Sequence, residues 1–411
     1  MHTDCRNFAA RPMSPMTPMR ITFCSSSVGC GHTRASVAIH DALRARGQLS
    51  EATFIEALEH APRWFSSVYR DGYLRAIRHA PRIVGAVYNS TDIPRRDRRT
   101  LGPALDRFED TVMGKFRAHP ALHSADVVVS THFLTSALLG RMRIRGELSA
   151  PVVTVVTDEH PHAVWLQAGV DITCVASRAA RTAAIAGGMD PTRVEITGIP
   201  IDPHFCMTHQ RSFAAPGSGR PMILVCGGGH GLGDIPTVVQ SLIATSINCT
   251  IVVVCGKNAP LATAMAALQA QRSRGDLTGP ELRVLGYTNA MHELMAAADL
   301  MVGKPGGLTT TEARAVGLPM VLLQPIPGQE ERNADMLVAI GAAVRTSRAA
   351  DAGPVAAAII ADPQRLQRMR MASSAAGNPR AAFDVASTIS AVLARPNQCQ
   401  ESNWLRGRPA A

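Results

Sequence analysis

One pattern constrains this chain more than any other feature, and it is written twice. Short β-branched runs alternate with stretches whose apolar residues recur at helical spacing. In the first series, residues 20–25, 53–58, 126–130, 152–157, 172–176 and 194–197 read as strands. Several are Val-rich throughout, as expected of strands buried on both faces of a parallel sheet. After the first strand, Ala35, Ala38, Ile39, Ala42 and Leu43 mark one face of a helix. Residues 203–221 break the rhythm with Ala-Ala-Pro-Gly-Ser-Gly-Arg-Pro and read as a linker. A second series follows, with strands expected at 222–226, 250–255, 282–285, 300–302 and 320–323. Strands alternating with helices imply parallel sheets with right-handed crossovers. Two such units leave a cleft, with ligands expected at the carboxyl ends of the strands. The fold class expected is therefore α/β. It comprises a leader at 1–18, a first domain at 19–202, the linker, a second domain from 222 to 383 and a tail at 397–411.

Composition narrows the partners. Hydrophobic residues make up 46% of the chain, enough for a core in each half, and charged residues at 18% are too few for a disordered chain. A net charge of +10 favours acidic partners: anionic lipid, phosphorylated substrates or nucleic acid. No nucleic-acid motif is present, so that last partner is not expected. None of the nine cysteines has C-x-x-C spacing, which leaves zinc and thioredoxin-like readings unsupported. Cys24 and Cys255 sit in apolar runs and read as buried thiols in a reducing cytosol. No apolar run approaches the roughly 20 residues that span a bilayer. Residues 1–18 lack the apolar centre of a signal peptide and read as a disordered leader.

Three glycine clusters follow strands and open helices: 25–32 ending in His32, 226–233, and 303–310. Glycines there let backbone N–H groups approach an anion, and the helix start adds partial positive charge. Each also reads as a plain tight turn. The dinucleotide fingerprint fails in all three; after Gly29 and Gly31, for example, Arg34 stands where the third glycine belongs. Lys304 precedes its glycines, so no P-loop is present either. The third cluster carries more: Thr309, Thr310 and Thr311 offer hydroxyls, and Glu312 follows just beyond the first turn. A carboxylate there can accept two hydrogen bonds from a ribose diol while the turn amides hold a diphosphate. It equally reads as a favourable charge near a helix N-terminus. Downstream, Gln329 and Glu330 lie in a polar segment after a strand and offer groups for sugar hydroxyls.

Taken in order, these residues resemble the monogalactosyldiacylglycerol synthases and bacterial diacylglycerol glucosyltransferases. The similarity runs from about residue 20 to 393. It rests on the first glycine turn ending in His32; the strand and turn at 125–132; Thr157-Asp158 with His162 and Trp165; and Thr197-Gly198-Ile199-Pro200. In the second half it rests on Gly286-Tyr287-Thr288, Lys304 to Glu312, and Gly328-Gln329-Glu330. The resemblance implies a GT-B fold of two Rossmann-like domains, with a last helix at 384–396 crossing back to the first domain. It implies inverting transfer of glucose or galactose from UDP-glucose or UDP-galactose to diacylglycerol or a related lipid, with no metal or other cofactor. By residue match the donor side is Gly229, Tyr287, Asn289, Met291, Lys304, Gly306, Gly307, Thr309, Glu312, Gln329 and Glu330. The acceptor side is Gly29, Gly31, His162 and Trp165.

Inversion needs a base for the acceptor hydroxyl and a cradle for the departing diphosphate. His32 suits the first task, its ordinary pKa of about 6.5 lying near neutrality. Asp158 is the alternative, and Trp165 reads equally as core packing. The stretch 61–99 holds Trp64, Phe65, Tyr69, Tyr73 and Tyr88 among arginines such as Arg63, Arg70 and Arg75. Aromatics suit headgroup depth and clustered Arg suits anionic lipid, so Trp64, Phe65, Tyr69, Arg70 and Tyr73 are expected on the inner face of the cell membrane. The alternative uses of this chain are a same-fold transferase with a soluble acceptor, or a nucleotide-sugar epimerase.

Overall fold

A computed structural model describes residues 18–26, 30–72, 75–76, 79–92, 102–207, 219–229, 231, 233–245, 247–274 and 279–394. The expectations on Gly29, Tyr73, the leader through residue 17, most of the linker and the tail fall outside these residues.

Two six-stranded parallel sheets are present. The first is built from β1 (Met19–Ser25), β2 (Leu49–Glu56), β3 (Val127–Ser130), β4 (Val152–Val155), β5 (Ile172–Val175) and β6 (Val194–Ile196), in the order β2-β1-β3-β4-β5-β6. The second is built from β7 (Met222–Cys226), β8 (Thr250–Val254), β9 (Glu281–Leu285), β10 (Leu300–Gly303), β11 (Met320–Leu322) and β12 (Ala343–Arg345), in the order β12-β11-β10-β7-β8-β9. β3, β4, β5, β8 and β10 are buried along their whole length. Helices cover both faces there, so apolar residues fill most positions, broken only by small or hydroxyl groups such as Ser130, Thr154 and Thr173, and no polar alternation survives.

Edge strands depart from expectation. β2 begins four residues before the reading at 53, because its polar start, Ser50 and Glu51, lies on a partly exposed edge. β12 was not anticipated at all. It is three residues long with one buried, too short to carry a pattern. Within the expected linker Phe205 is buried in the second core beside Leu224, Met301 and Ala313, as is Ile201 just before it.

The helix Ala381–Ala394 packs Ala382, Val385, Ala386 and Ile389 against Ile21, Phe23, Val127 and Val129 of the first sheet. The chain therefore returns to its first domain after completing the second. The stretch between β2 and β3 holds helices Arg63–Ser67, Pro81–Thr91 and Gly102–Val112. Arg141 fastens the last of these, bonding Asp110, Asp106 and Glu109 at 2.8, 2.9 and 3.0 Å.

Candidate active site

Each sheet reverses its strand order once, between β1 and β3 and between β7 and β10. Loops diverge at such points and leave a crevice at the carboxyl ends of the strands. In the first domain the turns after β1 and β3 meet there. His32, in the first turn of the helix Cys30–Ala45, lies with Nδ1 2.7 Å from the Thr131 carbonyl. A carbonyl only accepts, so Nδ1 carries the hydrogen and Nε2 keeps its lone pair. The Thr157 hydroxyl lies 3.0 Å from the same Nδ1. Burial pushes the His32 pKa down to about 4, against a smaller upward pull from the Thr131 carbonyl. The ring is therefore neutral at physiological pH, the form a proton acceptor requires.

In the second domain the strands at the reversal press close: a Cβ on Gly303 would come 2.6 Å from the Cys226 carbonyl. The helix Gly307–Ala315 follows β10, with Gly306 as its N-cap and no side chain on its first amides. Thr310 and Thr311 turn their hydroxyls back to the Gly307 carbonyl at 3.0 and 2.8 Å. Thr309 Oγ1 stays at the helix mouth, 4.0 Å from where a Gly306 Cβ would stand. Lys304 pairs with Glu330 at 3.2 Å, and Glu330 also accepts from the Ile326 amide at 2.8 Å.

Glu312 lies in the second turn of this helix, just beyond the first. Its carboxylate is 6% exposed, with Arg34 of the first domain 3.6 Å away. Burial raises its pKa to about 7, Arg34 pulling it back only in part. The raised value fixes a sign. The group contributes stability below its unfolded pKa and loses that contribution as pH rises through about 7. Glu312→Gln is therefore expected to raise the melting temperature more at pH 8 than at pH 5, measured calorimetrically.

The domains close onto one another at Thr157. A Cβ on Gly307 would stand 2.8 Å from the Thr157 carbonyl oxygen. Thr157 thus touches His32 through its hydroxyl and the uncapped helix start through its backbone. Asp158 next to it is buried and accepts from Trp165 Nε1 at 2.7 Å and from the Gln329 side chain. Burial raises its pKa to about 7, the Trp165 bond opposing. Glu159 pairs with Arg314, which also donates to the Ala376 carbonyl at 3.2 Å.

Several expected residues are engaged elsewhere. His162 accepts from the Val164 amide at Nδ1, 3.1 Å, and so donates from Nε2 to the Tyr88 carbonyl at 2.8 Å. Both nitrogens are thus engaged within the fold. Trp165 is 1% exposed, its indole spent on Asp158. Gly31 does face the cleft, 3.4 Å from Leu308 at its would-be Cβ. Met291 is buried in the second core, while Tyr287 and Asn289 are exposed. Lys257 stands over the Tyr287 ring at 5.5 Å, and its backbone amide donates to the Gly229 carbonyl at 3.2 Å. Phe65 does not face lipid. It is buried against Met113 and Phe116, with Tyr69 stacked on it, while Trp64 and Arg70 are exposed. Sequence reasoning passed over Arg34, Arg314, Asp92 and Arg332 as partners, because each pairs with a residue of the other domain.

The doubly wound pair of sheets with its interdomain site defines the GT-B class. Solved structures of that shape include Acinetobacter baumannii MurG, with TM-score 0.58 and 15% identity over 90% of this chain and 99% of that one. The S. aureus MnaA–UDP co-structure has TM-score 0.56 and 14% identity over 92% and 97%. A monogalactosyldiacylglycerol (MGDG) synthase family model matches residues 32–201, and a glycosyltransferase family 28 C-terminal domain model matches 222–372. The processive diacylglycerol beta-glucosyltransferase of Bacillus cytotoxicus is 30% identical over 283 residues, 67% of this chain and 71% of that protein. Its namesake in Bacillus subtilis is 32% identical over 255 residues, 60% of this chain, and the match spans 64% of that protein's length. The chain belongs to the family of monogalactosyldiacylglycerol synthases and processive diacylglycerol glucosyltransferases.

Proposed function

We propose that this protein transfers a hexose from a UDP-sugar to diacylglycerol or a related membrane lipid, inverting the anomeric carbon. The observation that carries the reading is the meeting at Thr157. A neutral histidine with a free Nε2 lone pair and an uncapped helix start are held by two atoms of one residue. In this reading the sugar sits between them. His32 Nε2 takes the proton of the acceptor hydroxyl as its oxygen bonds to the anomeric carbon. The bond to the diphosphate breaks on the opposite face, and the amides at Gly306 to Thr309 take the developing charge. Glu312 holds the ribose diol, Tyr287 and Asn289 flank the base, and Gln329 and Glu330 meet the sugar. The cradle is made of amides, so no metal is assigned to it.

The acceptor side supports a lipid. Trp64, Val68, Ile83, Val87, Leu105 and Phe108 are 45–67% exposed. The Trp64 and Phe108 rings lie 6.2 Å apart, which joins the helices Arg63–Ser67 and Gly102–Val112 into one apolar surface. No described helix is long and apolar enough to cross a membrane. This surface rests in the headgroup region of an anionic bilayer, with the protein peripheral on the inner face of the cell membrane.

Incubating the purified chain with UDP-glucose or UDP-galactose and vesicles of diacylglycerol in anionic lipid tests the proposal by mass spectrometry. The expected result is a hexosyl lipid, in undiminished yield with a chelator present. Hexose found only on soluble acceptors, or none transferred at all, would overturn the reading; loss of yield with chelator would overturn its metal-free part.

A further inference from the structure

The helix Pro81–Thr91 belongs to the first domain by sequence, yet it rests on the second. A Cβ on Gly85 would come 2.7 Å from Pro327 Cβ, so this helix and the turn before Gln329 are in close contact. One turn further, Tyr88 covers Gly328. A Cβ on Gly328 would stand 2.9 Å from the Tyr88 ring, and the glycine's φ of 100° excludes most side chains as well. Just past the helix end, Asp92 accepts from Arg332 Nη2 at 2.7 Å and from the Ala163 amide at 2.9 Å, with His160 Nε2 3.6 Å away. The Arg332 guanidinium also lies 5.5 Å over the Tyr88 ring. The pair is partly shielded, its side chains 18% and 29% exposed. Burial alone would raise the Asp92 carboxyl, but the Ala163 amide and Arg332 outweigh it and hold it below its ordinary value.

Pro327, Gly328 and Arg332 bracket Gln329 and Glu330, the residues that the proposed function gives to the donor sugar. We infer that Asp92 is a positioning residue for the donor sugar. Through Arg332, and with Tyr88 seated on Gly328, it fixes from the opposite domain the turn that meets the hexose. Asp92 itself touches no substrate. The inference rests on the proposed reaction and adds a requirement to it: the sugar, and not the nucleotide, senses this contact. The uridine and diphosphate are assigned to the turns around 287–291 and 306–309 and to Glu312, none of which Asp92 touches.

The test is calorimetric titration of the full chain with UDP and, separately, with UDP-glucose or whichever UDP-hexose the wild type turns over. Asp92→Asn keeps the side chain's shape and removes its charge. It is expected to raise the Kd and KM for the UDP-hexose about fivefold, the upper range for a partly exposed charge pair, and to leave the Kd for UDP unchanged. Arg332→Gln should give the same selective loss, and the double variant should be no worse than either single one, as for two ends of one contact. Equal weakening of UDP and UDP-hexose, additive losses in the double variant, or no change would overturn the positioning role. A wild-type chain that binds neither compound would instead sink the transferase reading, and this inference with it.

Discussion

Replacing His32 by alanine is expected to lower kcat by about a hundred- to ten-thousandfold, the usual span for loss of a positioned general base. The donor KM should change little, because His32 lies in the first domain and contacts Thr131 and Thr157 rather than the assigned nucleotide groups. A pH profile separates this role from a packing one. With its pKa pushed down to about 4, His32 stays unprotonated well below the ordinary histidine range. The acid limb of kcat/KM should therefore not fall at the usual value near 6.5. Near-wild-type turnover of His32→Ala would remove the residue from the mechanism. Asp158 would then be the remaining candidate, although both its oxygens already accept hydrogen bonds, from Trp165 and Gln329.

Gly307→Val is expected to reduce kcat/KM by about a hundredfold, the cost of an ångström-scale misplacement of reacting groups. The new side chain would press on the Thr157 carbonyl, where even a Cβ would stand at 2.8 Å. That oxygen is backbone two residues past the end of β4 and has no rotamer by which to yield. The two domains can separate instead, so the fold should survive with a near-native circular dichroism spectrum while the cleft fails to close. Gly307→Ala should show a smaller loss in the same direction. Steady-state kinetics on both variants provide the check. Unaltered kcat/KM in the valine variant would show that the close approach of the helix start to Thr157 is not needed.

The parts of this molecule that were legible in its sequence are those written locally. Buried strands such as Val152–Val155 announce themselves because burial on both faces keeps them almost wholly apolar, with Thr154 the one hydroxyl. The glycine turn at Gly307 stands out because the close approach of the Thr157 carbonyl leaves no room for a side chain. Trp64 and Phe65 show the limit: a five-residue helix is too short for periodicity to say which ring is buried. β12 fails for the same reason. Arg34, Glu159 and Arg332 show a different limit. Each forms its ion pair across the cleft, with Glu312, Arg314 and Asp92, and such partners depend on how two separately encoded sheets face each other. No spacing along the chain records that angle. His162 illustrates a third case. Its motif was legible, yet its hydrogen bonds to Val164 and Tyr88 give it a fastening role.

In the proposed reaction the first amides of the helix Gly307–Ala315 receive the donor's diphosphate. A crystal structure with bound UDP measures this directly. The account predicts the diphosphate oxygens within hydrogen-bond distance of the amides at Gly306 to Thr309, and the ribose diol on Glu312. Electron density for UDP away from that helix, or with Glu312 still turned to Arg34 and no ribose beside it, would contradict the account.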